Sequence, residues 1–209
     1  MALLKKRIGY VADPCDESFI VNITVPSGKE FSIHAHLLAK YSKYFQRALD
    51  SQFQEAKTLR FDLTEHATDE TLSVFTNWVY AKSVSSGNIL IIHSILKECP
   101  GFALIKCWLF GEYIQAREFQ NDIIETLPEA NTTSTDAVNA WDSIPADSKF
   151  RQLLVSLFCK QGRSLKKVHA ELEFLPPTML RDVSKYLATE ISKQQVLRTS
   201  ILDTKKYLE

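Results

Sequence analysis

The feature that most constrains this chain is a change of hydrophobic period between residues 21 and 49. Val21, Ile23 and Val25 alternate with polar residues, and Glu30-Phe31-Ser32-Ile33 alternates again. A period of two places every second side chain on one face of an extended strand. Pro26-Ser27-Gly28-Lys29 supplies turn residues between the two runs, so the pair is predicted to form a β-hairpin. From Leu37 onward the spacing becomes three and four. Leu37, Leu38, Tyr41, Tyr44, Phe45, Ala48 and Leu49 share a face only when the backbone is helical.

The remaining chain extends the pattern. Thr58-Leu59-Arg60-Phe61-Asp62-Leu63 alternates strictly and reads as a third strand. Thr68 or Asp69 is placed to cap a helix whose apolar face holds Leu72, Phe75, Trp78 and Val79, followed by a polar loop over 83–88. A helical stretch breaks at Pro100-Gly101 and resumes through Leu104, Ile105, Trp108 and Tyr113. Another helix carries Phe119, Ile123, Ile124 and Leu127. Pro128 and the polar stretch 129–134 mark the best hinge. Beyond it every periodic segment is helical: one helix with Val138 and Trp141, one from about 147 to 160, and a long last helix opened by Pro176-Pro177. The expected organisation is an α+β domain over 18–127 with a three-stranded sheet and a cluster of helices, preceded by a lead-in at 1–17 and followed by an all-helical domain over 128–209.

Charge and cysteine usage narrow the function classes. Lys+Arg and Asp+Glu both total 25, so the chain lacks the basic excess of a nucleic-acid binder. Lys5, Lys6 and Arg7 read as a solvated face. Cys15, Cys99, Cys107 and Cys159 form no C-x-x-C pair, and MALLKKRIGY lacks a signal-peptide core, which predicts reduced thiols in the cytoplasm or nucleus. The longest apolar run, Ile89-Leu90-Ile91-Ile92, falls far short of the ~20 residues that span a bilayer, so no membrane partner is expected.

No chemistry of an enzyme is visible. His34 and His36 would need further ligands to hold a metal, and His66, His93 and His169 lie in unrelated segments, so structural histidines are expected. Cys107 falls on the apolar side of a helix beside Trp108, and Cys159 ends a helix with no local base. No G-x-S-x-G, G-x-G-x-x-G or P-loop occurs. The expectation is a non-enzyme without metal or cofactor.

The stretch F-S-I-H-A-H-L-L-A-K-Y-S-K-Y-F at 31–45 resembles the signature of the BTB/POZ family. Phe53-Gln54-Glu55-Ala56, Leu59-Arg60-Phe61-Asp62-Leu63 and Phe75-Thr76-Asn77-Trp78-Val79-Tyr80 resemble further segments of that family in the same order, with Ala81-Lys82 where a "TG" turn is common. In flavour the chain is similar to BTB proteins of filamentous fungi. The resemblance implies a protein–protein interaction module, an adaptor or an oligomerising scaffold. In BTB adaptors of ubiquitin ligases a hydrophobic-x-Glu motif contributes to binding a cullin. By resemblance Phe53 would be an apolar plug and Glu55 an acceptor, with Gln54 between them. An ordinary amphipathic turn is the other reading of those residues.

Many members also pair as homodimers beside a charged pocket. The matching positions here are Phe19 and Ala35, so both charges are absent, although an exposed Phe19 or Ile20 would strengthen an apolar seam. No kelch repeat or zinc finger is read after the module, so target recruitment would fall to the C-terminal helices. An oligomerising regulator, for example a transcriptional one, with no cullin partner stands as the alternative.

Overall fold

The computed structural model describes residues 19–51, 54–84, 89–130, 134–160 and 172–199. They fall into two compact units divided after Thr132.

The first unit is α+β. Strands β1 (Ile20–Thr24) and β2 (Glu30–His34) pair antiparallel, with Ile20 opposite His34 and Thr24 opposite Glu30. The turn between them places Gly28 at φ 80°, a left-handed conformation that costs glycine nothing. The third strand β3 (Arg60–Asp62) lies on the other side of β1 and runs parallel to it, giving the order β2-β1-β3. Val21, Ile23, Ile33 and Phe61 turn to the buried face. Apart from exposed Ile20, the opposite face is polar, with Ser32 Oγ donating to Asn22 Oδ1 at 2.7 Å and Arg60 3.5 Å from Glu30. This is the alternation that the sequence displays.

The predicted helix over 37–49 is two helices, α1 (Ala35–Tyr41) and α2 (Lys43–Leu49). Ser42 makes the break. It is extended at φ −136°, its hydroxyl accepts from the Phe45 N–H at 3.2 Å as an N-cap, and it donates to the Ile114 carbonyl at 2.5 Å. The turn lets Leu38, Phe45 and Leu49 all reach full burial.

After the short helix α3 (Gln54–Thr58) and β3, helix α4 (Asp69–Val84) begins. Thr68 is its cap: Thr68 Oγ1 accepts from the Thr71 N–H at 3.2 Å, and Thr71 Oγ1 accepts from the Thr68 N–H at 2.8 Å. Ser83 and Val84, read as loop, complete this helix. Helices α5 (Ile89–Lys97), α6 (Gly101–Tyr113) and α7 (Arg117–Thr126) finish the layer. A core of Phe75, Trp78, Phe110 and Phe119 packs edge-on and stacked at centroid separations of 5.1 to 5.9 Å. The buried Trp78 indole donates to Asp122 at 2.8 Å, and Lys82 supplies the counter-charge to the same oxygen at 2.8 Å. Pro128 lies in a 3-10 turn, Leu127–Glu129, that continues α7.

The described residues of the second unit are helical: α8 (Ser134–Ala140), a 3-10 turn (Trp141–Ser143), α9 (Lys149–Lys160) and α10 (Pro177–Thr199). Trp141, Phe150, Leu154, Phe158, Met179 and Val183 form its buried interior.

Candidate partner-binding surfaces

Gln54 and Glu55 open α3 and are both exposed, while Ala56 beside them is buried. Phe53 lies outside the described residues. A carboxylate in a first helical turn is favoured by the free N–H groups there. The helix is short, and its far end is what fixes it. Thr58 Oγ1 donates to the Gln54 carbonyl at 2.9 Å, and the Leu59 N–H donates to the Glu55 carbonyl at 2.8 Å. Leu59 then adopts the left-handed region at φ 55° and turns the chain into β3. Its carbonyl accepts from the Asn22 N–H at 2.8 Å. Glu55 is therefore tied within four residues to the central strand, so the carboxylate is presented from a fixed base.

Tyr44 on α2 lies beside it. The half-buried ring packs on Phe45, Phe61 and Tyr113 at 5.2, 6.4 and 5.4 Å between centroids, and Tyr113 stacks on the exposed His66 at 3.9 Å. Burial, then a hydrogen bond to Tyr113 and that residue's charge, and lastly the Glu55 carboxylate push the Tyr44 hydroxyl up to about 12. Glu55 thus lies within electrostatic reach of Tyr44. The surface combines a carboxylate acceptor, phenol hydroxyls and flat aromatic area, which suits a protein contact. Sequence reasoning counted Tyr44 and Tyr113 as helix-face core and gave His66 no role. The only signal was tyrosine in place of phenylalanine, since a half-buried phenol seeks a polar partner.

Phe19 and Ile20 stand at the start of β1. Ile20 is 46% exposed and Phe19 half-buried, with the Phe19 carbonyl accepting from the Ala35 N–H at 2.9 Å. Because β3 runs parallel to β1 with Arg60 opposite Asn22, the end of α3 and the start of β1 lie at the same end of the sheet. Ala35 is fully buried at the start of α1. A charged side chain there would have to leave the core. His34 meets a tyrosine hydroxyl: its Nδ1 is 2.7 Å from Tyr80 Oη, which also accepts the His34 backbone N–H at 3.3 Å. The rings of His34 and His36 meet edge-on at 5.8 Å.

The three described thiols, Cys99, Cys107 and Cys159, lack the environment that activates a nucleophile. Burial pushes the Cys107 thiol far up, and burial also raises Cys99 and Cys159, whereas reactive cysteines are lowered by nearby positive charge. Among the described residues no cluster of three His, Cys, Asp or Glu side chains could hold a metal ion, and no helix is long and apolar enough to cross a membrane.

No family profile matches the chain. Two curated proteins are similar to it, Kelch-like protein 11 of Homo sapiens and Kelch-like protein 11 of Mus musculus. Each is 26% identical over 187 residues, covering 84% of this chain and 24% of the relative. The chain thus spans about a quarter of the length (24%) of the curated relatives it matches. Together with the signature at 31–45 and the β2-β1-β3 sheet, this similarity supports a BTB-type domain.

Proposed function

We propose that this chain is a protein–protein interaction module, an adaptor whose α3 surface docks a cullin-type scaffold of a ubiquitin ligase. The observation that carries the reading is the exposed Gln54-Glu55 pair on a helix locked to the central strand through Leu59, with Phe53 preceding it in the sequence. Similarity to a Kelch-like protein supports the same reading. Glu55 accepts hydrogen bonds from the partner, Phe53 fills an apolar socket on it, and Tyr44, Tyr113 and His66 widen the contact. A few such anchors dominate the energy of a protein interface. The test is a pull-down with purified cullin amino-terminal domain. Phe53→Ala with Glu55→Ala should weaken capture by at least about tenfold, which equals 1.4 kcal/mol. Undiminished capture removes the contact, and no capture by the unaltered chain removes the cullin.

A second reading has an observation of its own. The exposed Ile20 and half-buried Phe19 offer apolar surface at the start of β1, which suits self-association of an oligomerising regulator without a cullin. Light scattering across a dilution series separates the two. A particle that stays monomeric at high concentration, or a dimer that Ile20→Glu leaves intact, counts against this surface.

A further inference from the structure

Within the second unit, α9 and α10 border an open cleft of about 470 Å³. That volume falls in the range of small-ligand sites. The side chain that stands out on its wall is Arg151, only 6% exposed. Its guanidinium carbon lies 4.2 Å from the centre of the Trp141 ring, and Nη2 donates to the Trp141 carbonyl at 3.1 Å. Its Nε is buried with no hydrogen-bond partner. Among the described residues no carboxylate comes within ion-pair distance of it. An aromatic face and one carbonyl offset part of the cost of burying a cation, but neither supplies a negative charge.

The other charges of the cleft sharpen the point. Glu190 is engaged by Lys193 at 2.8 Å, and Asp182 lies 3.8 Å from Arg181. Lys185 is exposed on the same wall of α10 and has no acidic partner among the described residues. Among the described residues the acids of the cleft therefore already have cations, while two cations lack acids. Ala146 and Val155 add apolar wall to the cleft.

We infer that this cleft binds a carboxylate, with Arg151 as the buried counter-charge and Lys185 as the second cation at the opening. The carboxylate belongs either to an acidic side chain of a protein segment or to a free organic acid, and the guanidinium is the group best shaped to receive it. The inference is independent of the α3 surface and of a cullin.

The experiment uses the whole chain, isotope-labelled, and follows the arginine Nε–H and tryptophan indole resonances by NMR. Three probes are titrated: a capped pentapeptide with a central glutamate, its twin with a central glutamine, and glutarate. A saturable shift of the Arg151 and Trp141 signals is expected with the glutamate peptide or glutarate, with the glutamine twin at least about tenfold weaker. The glutamate peptide binding alone identifies a protein segment as the source; glutarate binding as well identifies the free acid as sufficient. Lys185→Glu, an exposed change that keeps the fold, should weaken binding by at least about tenfold, and Arg151→Lys should abolish it. Three results would overturn the inference: no saturable shift with either carboxylate, equal affinity for the twin peptides, or affinity untouched by Lys185→Glu.

Discussion

Ser42 and Tyr44 sit two residues apart and do opposite things with a hydroxyl. Ser42 is 1% exposed, caps α2 through the Phe45 N–H and donates to the Ile114 carbonyl. Ser42→Ala removes the cap, leaves the Phe45 N–H short of its side-chain acceptor, and leaves the Ile114 carbonyl with only the 3.3 Å bond from the Tyr44 N–H. We expect a loss of about 2 kcal/mol, from a cap worth ~1 and a similar desolvation cost. The check is a fall in denaturant midpoint at unchanged m. Tyr44 keeps its proton in the folded state up to about pH 12, against 10.0 for the free phenol. Between those values the unfolded chain has released this proton and the folded chain has not, so stability falls as pH rises through that window and levels off above it. The ring is half-buried, so water screens part of the effect. Alkaline unfolding should begin near pH 10, and Tyr44→Phe should flatten that limb of the pH–stability curve. An identical limb in the variant would show that Tyr44 is not its source.

The corner between α6 and α7 carries two backbone features that predict opposite signs. Gly111 lies where the helices approach closely: an added Cβ would meet Gln120 Cγ at 2.9 Å and Phe119 Cδ1 at 3.3 Å. Gln120 cannot swing away freely, since its amide donates to Glu112 at 2.8 Å and to the Trp108 carbonyl at 3.4 Å. Gly111→Ala should therefore destabilise by about 1–3 kcal/mol. Four residues on, exposed Gln115 holds φ 54°. Gln115→Gly relieves that strain and should stabilise by about 1 kcal/mol, since only an exposed 3.3 Å bond from Arg47 is lost. Thermal midpoints moving apart in these two variants would establish the corner geometry; midpoints moving together would refute it. This element also marks the limit of reading by period. The hairpin, the third strand and the helices after Pro100 were legible because burial imposes its own spacing on the residues. The break at Ser42 was not, because the apolar set from Leu37 to Leu49 runs through it in one helical pattern while its cause, the Ile114 carbonyl, lies 72 residues away. The candidate surface divides in the same way. Glu55 stood out through a local motif, whereas Tyr44, Tyr113 and His66 come from three separate segments that only the fold brings together.

At the scale of the molecule, the division after Thr132 separates two sets of buried side chains. One is built on Ile23, Phe45, Phe75, Trp78 and Phe119, the other on Trp141, Phe150, Leu154, Phe158 and Met179. An interaction module that serves as an adaptor needs a docking unit that holds its shape whatever the rest of the chain carries, because anchors on a loosened surface lose most of their affinity to ordering. The fragment 1–132 contains the sheet, the joint at Ser42 and the α3 surface, and should fold alone. It should unfold in a single cooperative transition, with an m-value smaller than that of the whole chain because m follows the surface exposed. Near-ultraviolet circular dichroism and a denaturant titration check this. Should the fragment keep its helices but lose its fixed aromatic packing, the first unit takes its stability from residues beyond 132.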